Sequence, residues 1–198
     1  MTNEHTTYDK IQAVIFDFGG VLVQGAHAQW YYNLAERLGL PIERWVETLY
    51  GTAWKDAYTS RIGCFRWIVP ALEVITRVHY GTRWLHREVV DIVERLGDGY
   101  RIGLLSNASS RLEHWLVDPL GIRYLFDAVV ISAVEGVAKP NPRAFELALQ
   151  RLRVAPHEAL FVDDLTRNTA AAASLGMDTI TFTTPPDLRY QIERRGLL

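Results

Sequence analysis

The sequence predicts an α/β fold in which a parallel sheet carries helices on both faces and an all-helical subdomain is inserted after the first strand. An apolar run near residues 12–18 is typical of a buried strand. Beyond residue 100, short apolar runs alternate with helical segments, which indicates parallel strands joined by right-handed crossovers. Between about residues 23 and 87, apolar residues recur only at helical spacing, so this stretch interrupts one α/β core.

The first strand ends in a carboxylate and two glycines. The residues 13–16 are apolar, Asp17 follows them, and Gly19 and Gly20 come directly after Phe18. A buried carboxylate is costly unless it is compensated, and glycine lets the backbone approach a ligand closely. This pattern favours a nucleophile or metal ligand at the carboxyl edge of the sheet. The alternative is a tight turn in which Asp17 caps a loop.

The insertion is predicted to contain helices, the last of which runs from about Thr82 to Leu96 and ends at Gly97. It also carries five of the six tryptophans, which suit the core of a small helical subdomain. The second half alternates strands and helices. The strands are predicted at 100–105, 127–131, 159–162 and 179–182, and the helices at 109–117, 142–152, 166–175 and 187–195.

Composition and charge exclude several classes of function. The chain has 198 residues and a formal net charge of −2, with no basic cluster that would suit a nucleic acid. A single cysteine, Cys64, excludes an internal disulfide framework. No apolar run approaches the roughly 20 residues that a membrane helix needs, and the polar N-terminus resembles no signal peptide. We therefore expect a soluble cytoplasmic protein, monomeric or homodimeric.

Polar residues also follow the later strands. Ser106 and Asn107 come after the strand at 100–105, where a hydroxyl and an amide can hold an anionic oxygen. The alternative is that Ser106 or a nearby serine caps the next helix. Further on, Asn141 and Pro142 are explained as the N-cap and first residue of a helix. Lys139 is not explained in this way, and either presents its ammonium to an anion or lies solvated in a loop.

Two adjacent carboxylates, Asp163 and Asp164, close the strand near 159–162. Adjacent carboxylates repel each other, and a hard cation removes that cost. Such a site would suit Mg²⁺, because this ion binds one or two carboxylates together with water and substrate phosphate. A helix-capping aspartate would explain one member of the pair but not both.

The order of these segments resembles the haloacid dehalogenase-like (HAD) hydrolase superfamily, in the subclass I arrangement with a helical C1-type cap. The resemblance covers nearly the whole chain, about residues 12–197, and includes Phe126-Asp127, Glu135-Gly136 and Leu175-Gly176-Met177. It implies a Rossmann-like catalytic core of residues 1–22 and 88–198 and a cap of residues 23–87.

The resemblance also implies roles for individual residues. Asp17 is expected to be the nucleophile that forms an aspartyl phosphate. A Mg²⁺ ion would be held by Asp17, the backbone carbonyl of Gly19 and Asp164, with Asp163 acting through water or from behind the ligands. The expected activity is magnesium-dependent hydrolysis of small phosphorylated metabolites.

The remaining implied residues bind the substrate or stabilise its charge. Ser106 and the Asn107 amide would hold phosphate oxygens, and Lys139 would neutralise charge beside the nucleophile. Phe18 and Gly20, which flank Gly19, are expected to be substrate-binding residues. No nucleic acid or membrane is expected as a partner.

The chain departs from this family pattern at Gly19, where the phosphatases usually carry a second aspartate that protonates the leaving oxygen. Such a general acid is worth about 10²–10⁴-fold in rate, and its loss matters least for acyl or aryl phosphates. Either the enzyme favours activated phosphoesters, or it takes a proton from water or from His27, His79 or His86.

Two alternatives remain open at this point. A 2-haloacid dehalogenase-type reaction needs no proton for its leaving group, but Asp163-Asp164 argues against it because carbon–halogen displacement has no phosphate to neutralise. A catalytically silent scaffold that binds a metabolite or a partner protein is the second alternative.

Overall fold

The computed structural model describes residues 11–23, 85–108, 110, 112–118 and 120–198. The predicted cap helices before residue 85, with His27 and His79, therefore lie outside the described residues. The extent of the cap, residues 23–87, remains a prediction.

The described residues form a five-stranded sheet in which every neighbouring pair of strands is parallel. The spatial order is β3-β2-β1-β4-β5, so the first strand lies at the centre. The strands are β1 (Ala13–Phe16), β2 (Arg101–Ser106), β3 (Ala128–Ile131), β4 (Ala159–Asp163) and β5 (Asp178–Thr181). This arrangement confirms the predicted α/β fold class.

Helices cover both faces of the sheet, and a hydrophobic core lies on each side. Val14 and Phe16 of β1 belong to one core, and Ala13 and Ile15 belong to the other, because successive side chains of a strand point in opposite directions. Each of these four residues is fully buried. The helices are α1 (Arg87–Gly97), α2 (Leu112–Val117), α3 (Ser132–Glu135), α4 (Pro142–Leu152), α5 (Thr166–Ser174) and α6 (Pro185–Glu193).

The strands start and end within one or two residues of the predicted limits, but the start of α1 was predicted wrongly. The pattern favoured a helix from about Thr82, whereas Leu85 forms an antiparallel bridge with Val23. The backbone N–H of His86 donates to the carbonyl of Leu22 at 2.9 Å. Because these groups pair with the segment after β1, the helix begins only at Arg87.

The start of α4 follows the sequence rules for helix caps, and the end of α1 follows them only in part. Asn141 is the N-cap of α4, where its side chain accepts from the Arg143 N–H, and Pro142 is the first helical residue, as predicted. Gly97 is instead the last residue of α1, and Asp98 follows it in a right-handed conformation. Among the described residues, no helix is both long and apolar enough to span a bilayer.

Candidate active site

The topology gathers the predicted polar residues at one edge of the sheet. β1 lies between β2 and β4, and Phe16 is in register with both Leu104 and Val162. The N–H of Asp17 extends this pairing by donating to the carbonyl of Val162 at 2.9 Å. Since all three strands run in the same direction, Asp17, the end of β2 and the end of β4 meet at the carboxyl edge.

Three carboxylates cluster at this edge. Asp17, Asp163 and Asp164 each offer an oxygen, and these oxygens lie within 4.8 Å of one another. Asp17 and Asp163 are buried, whereas Asp164 is partly exposed. Oxygen ligands at such spacing are the donor set that Mg²⁺ prefers.

Lys139 lies inside this cluster. Its Nζ is 2.8 Å from Oδ1 of Asp17 and 2.6 Å from Oδ2 of Asp163, and its side chain is 1% exposed. The ammonium also lies 5.4 Å from the centre of the Phe161 ring. The alternative of a solvated loop lysine is therefore wrong, because this side chain joins two buried acids.

The backbone of Lys139 is held by Asn107. The Asn107 amide nitrogen donates to the Lys139 carbonyl at 2.9 Å, and the Asn107 amide oxygen accepts from the Lys139 N–H at 2.8 Å. The Lys139–Pro140 peptide bond is cis. The Asn107 side chain therefore holds the Lys139 backbone in place, and the binding of phosphate by Asn107 stays a prediction.

Asp163 is fully buried and accepts hydrogen bonds from several directions. Asn168 Nδ2 lies 3.0 Å from both carboxylate oxygens, and the Leu165 N–H donates to Oδ1 at 2.9 Å. Together with Lys139, these donors hold the Asp163 carboxylate in one orientation. The role of Asp163 at a metal, through water or from behind the ligands, stays a prediction.

Asn168 was missed by the sequence analysis. It lies in the first turns of α5 and is only 2% exposed, although asparagine is uncommon in buried positions. Asn168 follows Asp163 by five residues, but its burial and its hydrogen bonds to Asp163 are visible only in the folded structure, so the sequence alone does not indicate its role.

Gly20 is required by its contact with Asp164. Its φ of +85° lies in the region that favours glycine, and a Cβ at this position would lie 2.3 Å from Asp164 Oδ2. The glycine loop after β1 and the second acid of the pair therefore fit closely together.

The electrostatics of the cluster favour a bound cation. The pKa of Asp17 is raised to about 6, mainly by burial and also by the charge of Asp163, although Lys139 acts to lower it. The pKa of Asp164 is also raised, mainly by burial and then by Asp163. Within the described residues, three carboxylates surround one buried ammonium, and Arg167 acts only on Asp164 by lowering its pKa, so full ionisation leaves negative charge that these groups compensate only in part. A divalent cation would remove that repulsion, which means that these residues fit Mg²⁺.

The other predicted site residues have different surroundings. Ser106 ends β2, is 4% exposed and makes no hydrogen bond to another described residue through its hydroxyl. The Phe18 side chain is part of the core, so only the Phe18 backbone, which donates a hydrogen bond toward Asp17, is near the site. Gly19 is exposed, and apart from its two chain neighbours no described residue has an atom within 4 Å of the place where its Cβ would be. Within the described residues, the Gly19 carbonyl accepts no backbone hydrogen bond.

His86 is the one candidate for a substitute acid that the structure describes. Its Nδ1 lies 2.8 Å from the Val21 carbonyl, and its ring stacks on Phe182 with the ring centres 5.8 Å apart. Nδ1 therefore carries the proton and donates it to the backbone. These contacts give His86 a structural role, because they join the segment after β1 to the start of α1.

Comparison with known proteins gives one family over most of the chain. Residues 11–176 match the family model of haloacid dehalogenase-like hydrolases. Mouse acyl-CoA dehydrogenase family member 10 is 49% identical over 71 residues, which are 36% of this chain and 7% of that protein. A glyceraldehyde 3-phosphate phosphatase of Pyrococcus abyssi is 34% identical over 183 residues, 89% of this chain and 64% of that protein. The (S)-2-haloacid dehalogenase 2 of a Pseudomonas species is 33% identical over 92 residues, 46% of this chain and 40% of that protein. The chain thus spans less than two thirds of each of these three relatives.

Solved structures share the fold at low sequence identity. A HAD-like family hydrolase from Porphyromonas gingivalis aligns with a TM-score of 0.72 and 21% identity, over 93% of this chain and 98% of that one. A HAD family enzyme from Bacteroides thetaiotaomicron, solved with magnesium and inorganic phosphate, aligns with a TM-score of 0.70 and 20% identity, over 87% of this chain and 94% of that one. At these identities the likeness establishes the fold alone.

Proposed function

This chain belongs to the haloacid dehalogenase-like hydrolases, and we propose that it is a Mg²⁺-dependent phosphatase of small phosphorylated metabolites. In this proposal Asp17 is the nucleophile and an aspartyl phosphate is the intermediate. The observation that carries the proposal is the contact of Lys139 with both Asp17 and Asp163 beside the partly exposed Asp164. An anionic nucleophile can approach an anionic ester only when cations are placed alongside it.

The residues that would hold the ion are Asp17, Asp164 and the Gly19 carbonyl. Mg²⁺ bound there would neutralise charge on the phosphoryl oxygens and on the carboxylates. Asp163, which is already occupied by Lys139 and Asn168, would orient the site from behind.

The protein's own groups divide the chemical work. Lys139 binds Oδ1 of Asp17 and fixes that carboxylate, which leaves Oδ2 as the oxygen that attacks phosphorus. The Ser106 hydroxyl and the Asn107 N–H are proposed to donate to the phosphoryl oxygens at the end of β2. A water molecule then hydrolyses the aspartyl phosphate and regenerates the carboxylate.

The dehalogenase name of one relative belongs to that protein, and the acidic cluster argues for phosphoryl transfer here. Displacement of halide from carbon creates no need for a second and a third carboxylate beside the nucleophile. The haloacid reaction is therefore the outcome that an experiment has to exclude.

The test is hydrolysis of a panel of small phosphate esters and acyl phosphates by the purified protein, with Mg²⁺ and with EDTA. We expect phosphate release that needs Mg²⁺ and that Asp17→Asn abolishes. Asp164→Asn should raise the Mg²⁺ concentration needed for half-maximal activity. Chloride release from 2-chloropropionate that persists in EDTA would overturn the proposal in favour of a dehalogenase.

A further inference from the structure

We propose that the site acts on phosphoryl compounds whose leaving group departs without being protonated, namely acyl, aryl and enol phosphates rather than sugar or alkyl phosphates. This inference rests on the proposed phosphatase function and names its substrate class. The observation behind it is that none of the described site residues is placed to give a proton to the leaving oxygen.

The three buried charged groups have no proton to give. Asp17 is the nucleophile, and it must be ionised to attack phosphorus. Asp163 is fully buried and accepts from Lys139 and Asn168, so it acts only as an acceptor. Lys139 donates two of its three N–H protons to Asp17 and Asp163 and is 1% exposed, so its ammonium supplies positive charge to these carboxylates and is held on them.

The other groups at the same edge do not supply an acid either. Asp164 is the carboxylate placed to bind the cation, a role that requires the ionised form. The Ser106 hydroxyl is a hydrogen-bond donor but a very weak acid. Gly19, two residues after the nucleophile, has no side chain, although the space where its Cβ would lie is empty.

An imidazole such as that of His86 can act as a general acid, but the contacts of His86 are structural. Its Nδ1 proton goes to the Val21 carbonyl, and its ring packs on Phe182. The described residues therefore provide positive charge for the phosphoryl group and no proton for the leaving oxygen.

The reaction balances without such a proton only for some substrates. In the first step a bond forms between Asp17 Oδ2 and phosphorus, and the bond from phosphorus to the leaving oxygen breaks with its electron pair. The leaving group departs as a carboxylate, phenolate or enolate. In the second step the oxygen of water adds to phosphorus, the bond to Asp17 breaks, and one proton passes from that water to solvent.

The acidity of the leaving group decides how much the missing proton costs. Carboxylic acids ionise with a pKa of about 4 and phenols with a pKa of about 10, so their anions leave readily. An alkoxide is nearly as basic as hydroxide, so it is a far poorer leaving group than a carboxylate or a phenolate. A positioned acid is typically worth about 10²–10⁴-fold, and that factor is lost for alkyl and sugar esters.

The experiment is a series of substrates of graded leaving-group pKa: acetyl phosphate, substituted phenyl phosphates and a sugar phosphate, each with Mg²⁺. For the wild-type protein we expect kcat/KM to fall steeply as the leaving-group pKa rises. Equal kcat/KM values for phenyl phosphate and the sugar phosphate would overturn the inference, because they would show that a proton is delivered. Failure of the phosphatase function itself would look different: no Asp17-dependent phosphate release from any member of the series.

Two variants sharpen the result. Gly19→Asp places a carboxyl group in the empty space, and should raise the ratio of kcat/KM for the sugar phosphate to kcat/KM for acetyl phosphate by about 10²-fold or more. Gly19→Asn introduces a side chain of the same shape without an acidic proton. For this variant kcat/KM should still fall steeply as the leaving-group pKa rises. The wild-type series decides the question even if neither variant folds.

Discussion

Replacement of Asp17 by asparagine should stabilise the metal-free protein while it abolishes activity. The reason is that burial raises the pKa of Asp17 from 3.8 to about 6, in spite of the attraction of Lys139. The folded protein therefore holds a proton on this carboxyl more tightly than the unfolded chain does. Asparagine resembles the protonated acid in shape, and its amide oxygen can still accept from Lys139.

The magnitude follows from the shift. A pKa difference of about two units corresponds to about 3 kcal/mol, since one unit is worth about 1.4 kcal/mol. Because the folded-state pKa lies above the unfolded value, the unfolding free energy of the wild type should fall as the pH rises from about 4 to about 6. Asp17→Asn removes this dependence, so its advantage should approach about 3 kcal/mol at pH 7 and disappear below pH 4.

The assay is urea denaturation in EDTA at several pH values between 4 and 8, followed by the same measurement with Mg²⁺. Asp91→Asn, which changes an exposed carboxyl of α1, is the matched control and should change the free energy of unfolding little at any pH. Saturating Mg²⁺ should stabilise the wild type, by about 2.7 kcal/mol at a hundredfold excess over Kd, and should stabilise Asp17→Asn much less. The reasoning is refuted if Asp17→Asn is less stable than the wild type in EDTA at pH 7, since Lys139 would then outweigh burial.

Three further substitutions test residues that hold Asp164, Lys139 and Asp163 in place. Gly20→Ala should destabilise the protein by about 1–3 kcal/mol and weaken Mg²⁺ binding, because its Cβ would lie 2.3 Å from Asp164 Oδ2; denaturation and Mg²⁺ titration measure both effects, and an unchanged Mg²⁺ affinity would show that the contact is unimportant. Asn107→Ala leaves two backbone groups of Lys139 unpaired, so kcat should fall more than KM rises and stability should drop by about 1–3 kcal/mol; a pure KM effect would instead make the Asn107 side chain a substrate ligand. Asn168→Ala removes the amide that bonds both oxygens of Asp163, and should cost about 1.5–3 kcal/mol in denaturation experiments; a neutral result would mean that the other donors suffice.

The sequence was enough to predict the sheet and the convergence of its polar residues. Buried strands have a clear apolar pattern, and parallel strands bring their carboxyl ends to one edge, so Asp17, Ser106 and Asp163 had to lie near one another. Asn141 was also predicted correctly as the N-cap of α4, because N-capping depends only on neighbouring residues.

Contacts between distant segments could not be predicted in the same way. The double hydrogen bond from Asn107 to the Lys139 backbone joins residues that are 32 positions apart, and nothing local to either residue indicates it. The start of α1 was misplaced for the same reason, since Leu85 and His86 are kept out of the helix by pairing with Val23 and Leu22. Asn168 stood in a run of helix-forming residues, where its partner Asp163 became visible only in the folded structure.

The most direct test of the account is to identify the phosphorylated residue. The protein is mixed with acetyl phosphate and Mg²⁺, quenched with acid within milliseconds to seconds, and digested for mass spectrometry. We predict one phosphoryl group per chain, on Asp17, that hydroxylamine removes and that EDTA prevents from forming. A phosphoryl group on another residue, or phosphate release with the same rate in Asp17→Asn, would contradict the central claim.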